Sequence, residues 1–344
     1  MKKIISTAAI IITVALLWSS LALAQCILVP KYVSESPEGA LTAEYYADVK
    51  ETKHDVLFIG DCEVYESFVP AVMWEKYGIS SYVRGSAQQL VWHSYYLLED
   101  ALRYETPRAV VFNVLALKYG EPQREAYNRM TIDGMEWSSS KIDCINASMT
   151  EEESFLSYVF PILRFHSRWS ELGGEDLEYM FSRPTVSDSG YLIQTAVKPM
   201  EGEQAEGSPL DDYTLPTESM EYLDMMQKLC REKGIELILI KAPTNTWRYW
   251  WYDEWDAQIV DYAEKNGLKY YNLIEKSEEI GLDWSQDTYD AGVHLNVYGA
   301  VKLSEYFGDV LAREHNIPDR RDDLAMSDVW TERVETFNQK LDTP

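Results

Sequence analysis

The sequence predicts an α/β fold: a five-stranded parallel sheet with helices on both faces. Two observations carry this. Short apolar runs recur along the chain, each bounded by glycine, asparagine or proline. Between them lie segments whose apolar residues keep helical spacing, and strands alternating with helices give parallel sheets covered on both sides. With 344 residues, 46% of them hydrophobic, the chain can bury a sizeable core as one large domain with insertions or as two small ones.

The elements follow in order. Residues 31–53 are polar, contain Pro37 and Gly39, and read as a stalk. Asp55 to Gly60 is a buried first strand, and a helix starts near Pro70, since proline is favoured in a first helical turn. Ser80 to Val83 is a short second strand closed by Gly85. Leu90, Tyr95, Leu98 and Leu102 place a helix over 88–104, which Pro107 ends. Ala109 to Val114 is a third strand. Residues 117–216 break the alternation and read as an insertion over the sheet, with helical pieces near 158–169 and 175–181 and an extra strand near 191–197. Thr217 to Lys233 is a helix stopped by Gly234. Ile235 to Ile240 is the fourth strand, Trp255 to Lys265 a helix, Lys269 to Leu273 the fifth strand, and Val297 to Glu314 the last core helix. The main domain is thus expected over 54–318, with a peripheral helix and tail over 319–344.

The N-terminus reads Met1-Lys2-Lys3 and then runs 27 residues, Ile4 to Pro30, without a charge. Roughly 20 apolar residues span a bilayer, and the lysines before the run put the rest of the chain outside the cytoplasm. An uncleaved anchor is the preferred reading of residues 1–30. Ala22-Leu23-Ala24 offers a signal-peptidase site as an alternative, and Leu23-Ala24-Gln25-Cys26 a poor lipobox. The formal charge of −26 repels phosphate backbones, so nucleic acid is not an expected partner. Beyond Cys26 stand Cys62, Cys144 and Cys230, an odd number that makes no disulfide framework, although a single Cys144–Cys230 bridge is open. No zinc pattern is present. His54, His93 and His315 read as surface or capping residues, and His166 as a packing residue that could touch substrate.

Ligands in open parallel sheets bind beyond the carboxyl ends of the strands. There the chain has Gly60-Asp61-Cys62 after strand one, Gly85 after strand two, Asn113 on strand three, and Asp287, Asp290, His294, Asn296 and Gly299 around the start of the last helix. This series resembles the blocks of the SGNH/GDSL hydrolase family over about 54–115 and 217–315. The arrangement is most similar to the Gram-positive, membrane-tethered branch related to proteins that move acyl groups on envelope polymers.

The resemblance implies a three-layer, flavodoxin-like fold and an esterase or O-acyltransferase. The substrate class would be an acylated carbohydrate or envelope polymer, with no cofactor and no metal. Cys62 would be nucleophile, His294 general base and Asp290 the residue orienting it. Gly85 and Asn113, with the Cys62 backbone, would form an oxyanion hole. Asp61, Arg84, Lys241 and Trp247, the last in the aromatic run 247–252, are candidate substrate contacts. A helix N-terminus and an imidazolium are expected to lower the Cys62 pKa more than burial raises it. Two departures stand out. The family's serine is Cys62 here, and Asp290 lies four residues before His294 where the family has three, which leaves Asp287 as a rival. These departures motivate an alternative: a non-catalytic binding or scaffolding protein on a degenerate SGNH fold. A cysteine after a buried strand is, taken alone, most often a small core residue.

Overall fold

Val56–Gly60 (β1), Ser81–Gly85 (β2) and Ala109–Asn113 (β3) are buried at every position. That is why β1 and β3 read as near-continuous apolar runs rather than alternating ones, whereas β2 carries the buried Arg84. The structure is a computed structural model that describes residues 2–29, 38–201, 209–246 and 252–342. The helices are Lys2–Leu28 (α1), Ala40–Glu51 (α2), Cys62–Tyr65 (α3), Pro70–Tyr77 (α4), Val91–Ala101 (α5), Glu125–Ile132 (α6), Ser139–Ser148 (α7), Phe155–Val159 (α8), Ile162–Phe165 (α9), Gly174–Phe181 (α10) and Thr217–Lys233 (α11). After β4 (Glu236–Lys241) come α12 (Asp253–Asn266), β5 (Lys269–Asn272), α13 (Ser277–Ile280), α14 (Val297–Glu314) and α15 (Leu324–Asp342).

The chain forms two compact units. The larger comprises residues 39–150 and 186–344, and the smaller residues 1–38 with 151–185. In the larger unit the five strands pair in parallel in the order β2-β1-β3-β4-β5. This is the flavodoxin-like order, whose ligand crevice opens where the winding reverses, between β1 and β3. Side chains alternate between faces. Leu57, Ile59, Val110, Phe112, Leu237 and Leu239 pack with residues of α2, α5, α11 and α12. Val56, Phe58, Val111, Ile238 and Ile240 pack with residues of α4 and α14. Gly234 and Gly267 end α11 and α12 in the left-handed conformation, at φ 70° and 66°.

Several sequence expectations need correction. The stalk reading fails over its second half, because α2 buries Leu41, Tyr45, Tyr46 and Val49; residues 30–37 lie outside the described residues. The spacing of those four side chains is helical, but the polar residues between them masked it. Within region 117–216, residues 151–185 fall in the smaller unit and the rest in the larger. Tyr191 to Val197 forms no strand, only an isolated bridge from Tyr191 to Asp188. The C-terminal helix is docked rather than peripheral, since Trp330 is fully buried and stacks on Trp74 at 5.4 Å. Cys144 and Cys230 are buried and free, with no bridge between them. His54, His93 and His315 are all buried; His93 does cap α5, accepting from the Leu90 backbone N–H.

His54 fixes α2 to the domain. Its Nε2 meets Asp48 of α2 at 2.9 Å and its Nδ1 meets Glu105 at 3.0 Å. Burial pulls the imidazole pKa down, but the two carboxylates win and raise it from 6.5 to about 9. A raised folded-state pKa means stability that is fully present below about 6.5 and lost as pH rises through about 9. The term is on the order of 3 kcal/mol. Urea midpoints should therefore show a large gap between wild type and His54→Gln at pH 6 and a smaller one at pH 10. A gap independent of pH would mean the imidazole is not charged in the folded protein.

Candidate active site

The strand end at Gly60 admits no side chain: a Cβ there would sit 2.5 Å from Val64 Cγ2 and 3.0 Å from Asn113 Cβ. The tight turn that follows starts α3, with Asp61 as N-cap accepting from the Glu63 N–H, and so delivers Cys62 to the β1/β3 crevice. Gly85 is equally confined, 3.0 Å from both the Gly60 carbonyl and Tyr65 Cβ. From the other side comes the loop before α14. Asn296 caps that helix by accepting from Tyr298 and Gly299, and its amide donates to the Gln286 and Ala196 carbonyls.

This loop brings His294 to Cys62, with Nε2 3.0 Å from Sγ. Asp290 Oδ2 lies 2.6 Å from Nδ1 of the same ring, and its Oδ1 accepts from the His294 backbone N–H at 2.8 Å. The extra residue between acid and base is absorbed by a local twist. Ala291 and Gly292 both take positive φ, 66° and 87°, and Thr288 Oγ1 accepts from the Gly292 N–H. Asp287 is elsewhere, bound to Lys302 Nζ at 2.6 Å and to the Asp283 N–H. Asp290, not Asp287, is the carboxylate on the imidazole.

Two residues missed from the sequence complete the surroundings of His294. Glu66 Oε2 lies 3.8 Å from Nδ1, and Tyr289 donates to Glu66 Oε1 at 2.9 Å while its ring stacks on the imidazole at 6.1 Å. Glu66 stands four residues after Cys62, one turn along, which was the available signal. A third is Lys118, just beyond β3. Burial pulls its pKa down to about 8, against the pull of Glu63, Asp61 and Cys62 upward.

Below Cys62 lies a buried polar cluster. Lys241 Nζ, 0% exposed, meets both Glu63 oxygens at 2.9 and 2.8 Å and the Ala242 carbonyl at 2.8 Å. Asn113 donates to Asp61 at 3.2 Å and to Glu63 at 2.9 Å, and accepts from the Ala242 N–H at 3.1 Å. Three expectations change here. The Asn113 amide is committed to two carboxylates rather than open to an oxyanion. Lys241 is a buried ion-pair partner and not a substrate contact. Arg84 is buried on the opposite face, bound to Asp100 and the Leu97 carbonyl under the Tyr45 ring. Asp61 stays in the site, but as N-cap and Asn113 partner; burial, then repulsion from Glu63, raises its pKa to about 6. Trp247 lies outside the described residues.

The expected low thiol pKa is also reversed. Burial pushes Cys62 up to about 11 despite the adjacent imidazole. Burial pulls His294 down, but Cys62, Asp290 and Glu66 together hold it well above its ordinary value. The contribution from Cys62 requires a thiolate. Asp290 and Glu66 act on the imidazole whichever form the sulfur takes.

No protein-family model and no curated protein matches the chain. Among solved structures it is similar to a GDSL-like lipase from Bacteroides thetaiotaomicron. That likeness has 13% identity and a TM-score of 0.38, and covers 80% of this chain and 100% of that one. A likeness of this degree says nothing about the chemistry of the site, which stands on the distances above.

Two outcomes follow. Iodoacetamide labelling of Cys62, measured as the difference between wild type and Cys62→Ala, should accelerate through the alkaline range; a rate already flat at pH 7 would place the thiol pKa far lower. Asn113→Ala should lower stability by about 1–3 kcal/mol, read as lower thermal and urea midpoints, because it orphans the buried Ala242 N–H and strips donors from two carboxylates. Unchanged midpoints would remove Asn113 from the framework.

Proposed function

We propose that the chain is an extracytoplasmic, membrane-anchored esterase or O-acyltransferase of the SGNH/GDSL kind. Its substrates would be acyl esters, with O-acylated envelope glycans as the class. The observation that carries this is the continuous line Cys62 Sγ–His294–Asp290, with contacts of 3.0 and 2.6 Å, at the switch point of a flavodoxin-like sheet. The anchor is supported by α1, whose stretch Thr7–Leu28 is long and apolar enough to cross a membrane.

In this mechanism His294 takes the Cys62 proton as the sulfur attacks the ester carbonyl. Asp290 holds Nδ1 and offsets the imidazolium charge. The tetrahedral oxyanion is stabilised by backbone N–H groups at Cys62 and Gly85, since Asn113 is otherwise engaged. Collapse breaks the ester C–O bond, and the leaving alkoxide takes the proton from His294. The resulting thioester is then attacked by water or by an acceptor hydroxyl, which gives its proton to His294 and releases the thiol. The raised pKa of the thiol makes the base essential: little thiolate exists until a proton acceptor removes the proton.

The engaged Asn113 amide and the buried carboxylates Asp61 and Glu63 favour a second reading, a binding protein that keeps the fold without turnover. Both carboxylates oppose negative charge developing nearby. The two readings separate on p-nitrophenyl acetate. An enzyme loses turnover in Cys62→Ala and His294→Ala with the melting curve unchanged, falls by about 10²–10⁴-fold in Asp290→Asn, and keeps its rate in Asp287→Asn if folded. Equal background hydrolysis by wild type and Cys62→Ala would leave the binding protein.

A further inference from the structure

The smaller unit holds α1 and the segment 151–185 together through named contacts. Arg168 donates to the Leu28 and Val29 carbonyls at 2.7 and 2.6 Å, satisfying carbonyls that a helix end leaves open. The same guanidinium meets Asp176 of α10 at 3.0 Å, and Arg164 of α9 meets Glu38 at 2.6 Å. Both α9 and α10 pack on α1. They cover only its C-terminal turns: Thr7 to Ser20 is exposed throughout, while Leu21, Ala24, Gln25 and Ile27 are partly covered and Leu28 is buried.

Two further features belong to this segment. Its outer surface carries Leu156, Leu163, Trp169, Leu177 and Phe181 in the open, with Trp169 73% and Phe181 82% exposed. Those are five large exposed apolar side chains within 35 residues, against nine over the whole of the larger unit among the described residues. The second feature is height. At 1.5 Å per residue, Thr7 to Leu28 covers about 32 Å of helix axis, close to the roughly 30 Å of a bilayer's hydrocarbon. The segment packs on the last turns of that span and so lies at its end opposite Lys2 and Lys3. Tryptophan and phenylalanine on short amphipathic helices at that level match a surface that lies in the headgroup region.

We infer that residues 155–181 form an interfacial collar that inserts its exposed apolar side chains into the outer leaflet of the membrane spanned by α1. The occupant of this apolar surface is lipid. The inference rests on the anchor assigned to α1 and goes beyond it, since an anchor alone needs no collar. The collar would hold the emerging chain at a fixed depth, and Arg168 would transmit that depth to the helix end.

The test uses the full chain with Cys26→Ser and Cys62→Ser, carrying one added cysteine at a time: Leu17→Cys, Trp169→Cys or Phe181→Cys. Each is labelled with an environment-sensitive fluorophore and reconstituted into vesicles of phosphatidylcholine and phosphatidylglycerol, with or without nitroxide lipids. The collar requires blue-shifted emission and nitroxide quenching at all three positions, with the probes at 169 and 181 quenched more by shallow than by deep nitroxides. Quenching at 17 with water-like, unquenched emission at either 169 or 181 overturns the collar and leaves the anchor. No quenching at 17 overturns the anchor itself and the collar with it.

Discussion

The end of the sheet that carries Cys62 depends on one buried ion pair, Lys241 with Glu63. Three adjacent strands, β1, β3 and β4, end there, and each contributes to a shared network. Glu63 follows β1, Asn113 closes β3 and Lys241 closes β4, and the Asn113 amide joins all three through Asp61, Glu63 and the Ala242 backbone. Breaking such a pair by removing one partner strands a charge in a low-dielectric interior, at a cost of about 3–5 kcal/mol. The pair therefore fixes where the α3 turn sits, and with it the position of Cys62.

That arrangement has electrostatic consequences. Burial raises the thiol pKa, Asp61 and Glu66 add to it, and the His294 imidazole offsets it only in part. The site gains rigidity from charges that disfavour a resting thiolate. His294 stands between these influences. Asp290 and Glu66 stabilise its protonated form, which in the proposed mechanism is the form present after it has taken the sulfur's proton.

The smaller unit solves a different problem. The last carbonyls of α1 lack donors within the helix. Arg168 supplies those donors, and the short helices around it bring aromatic and aliphatic side chains to the same level. Neither role is visible as a motif, because the residues involved lie more than a hundred positions apart from the helix they serve.

The sequence by itself determined the local elements. Periodicity of apolar residues located every strand, and α11 and α14 to the residue; Gly234, Gly267 and the capping Asn296 set helix ends through backbone conformation and cap hydrogen bonds. It also ordered Cys62, Asn113 and His294 at strand ends and helix starts, since a parallel sheet puts all such ends on one side. Only the tertiary structure decided which groups pair. It put Asp290 rather than Asp287 on His294, engaged Asn113 and Lys241 with carboxylates, turned Arg84 to the far face, and buried α2 and Trp330. Those outcomes depend on which side chains, most of them distant in sequence, meet within 3–4 Å, and on whether burial or charge prevails once they meet. A local pattern carries no record of either.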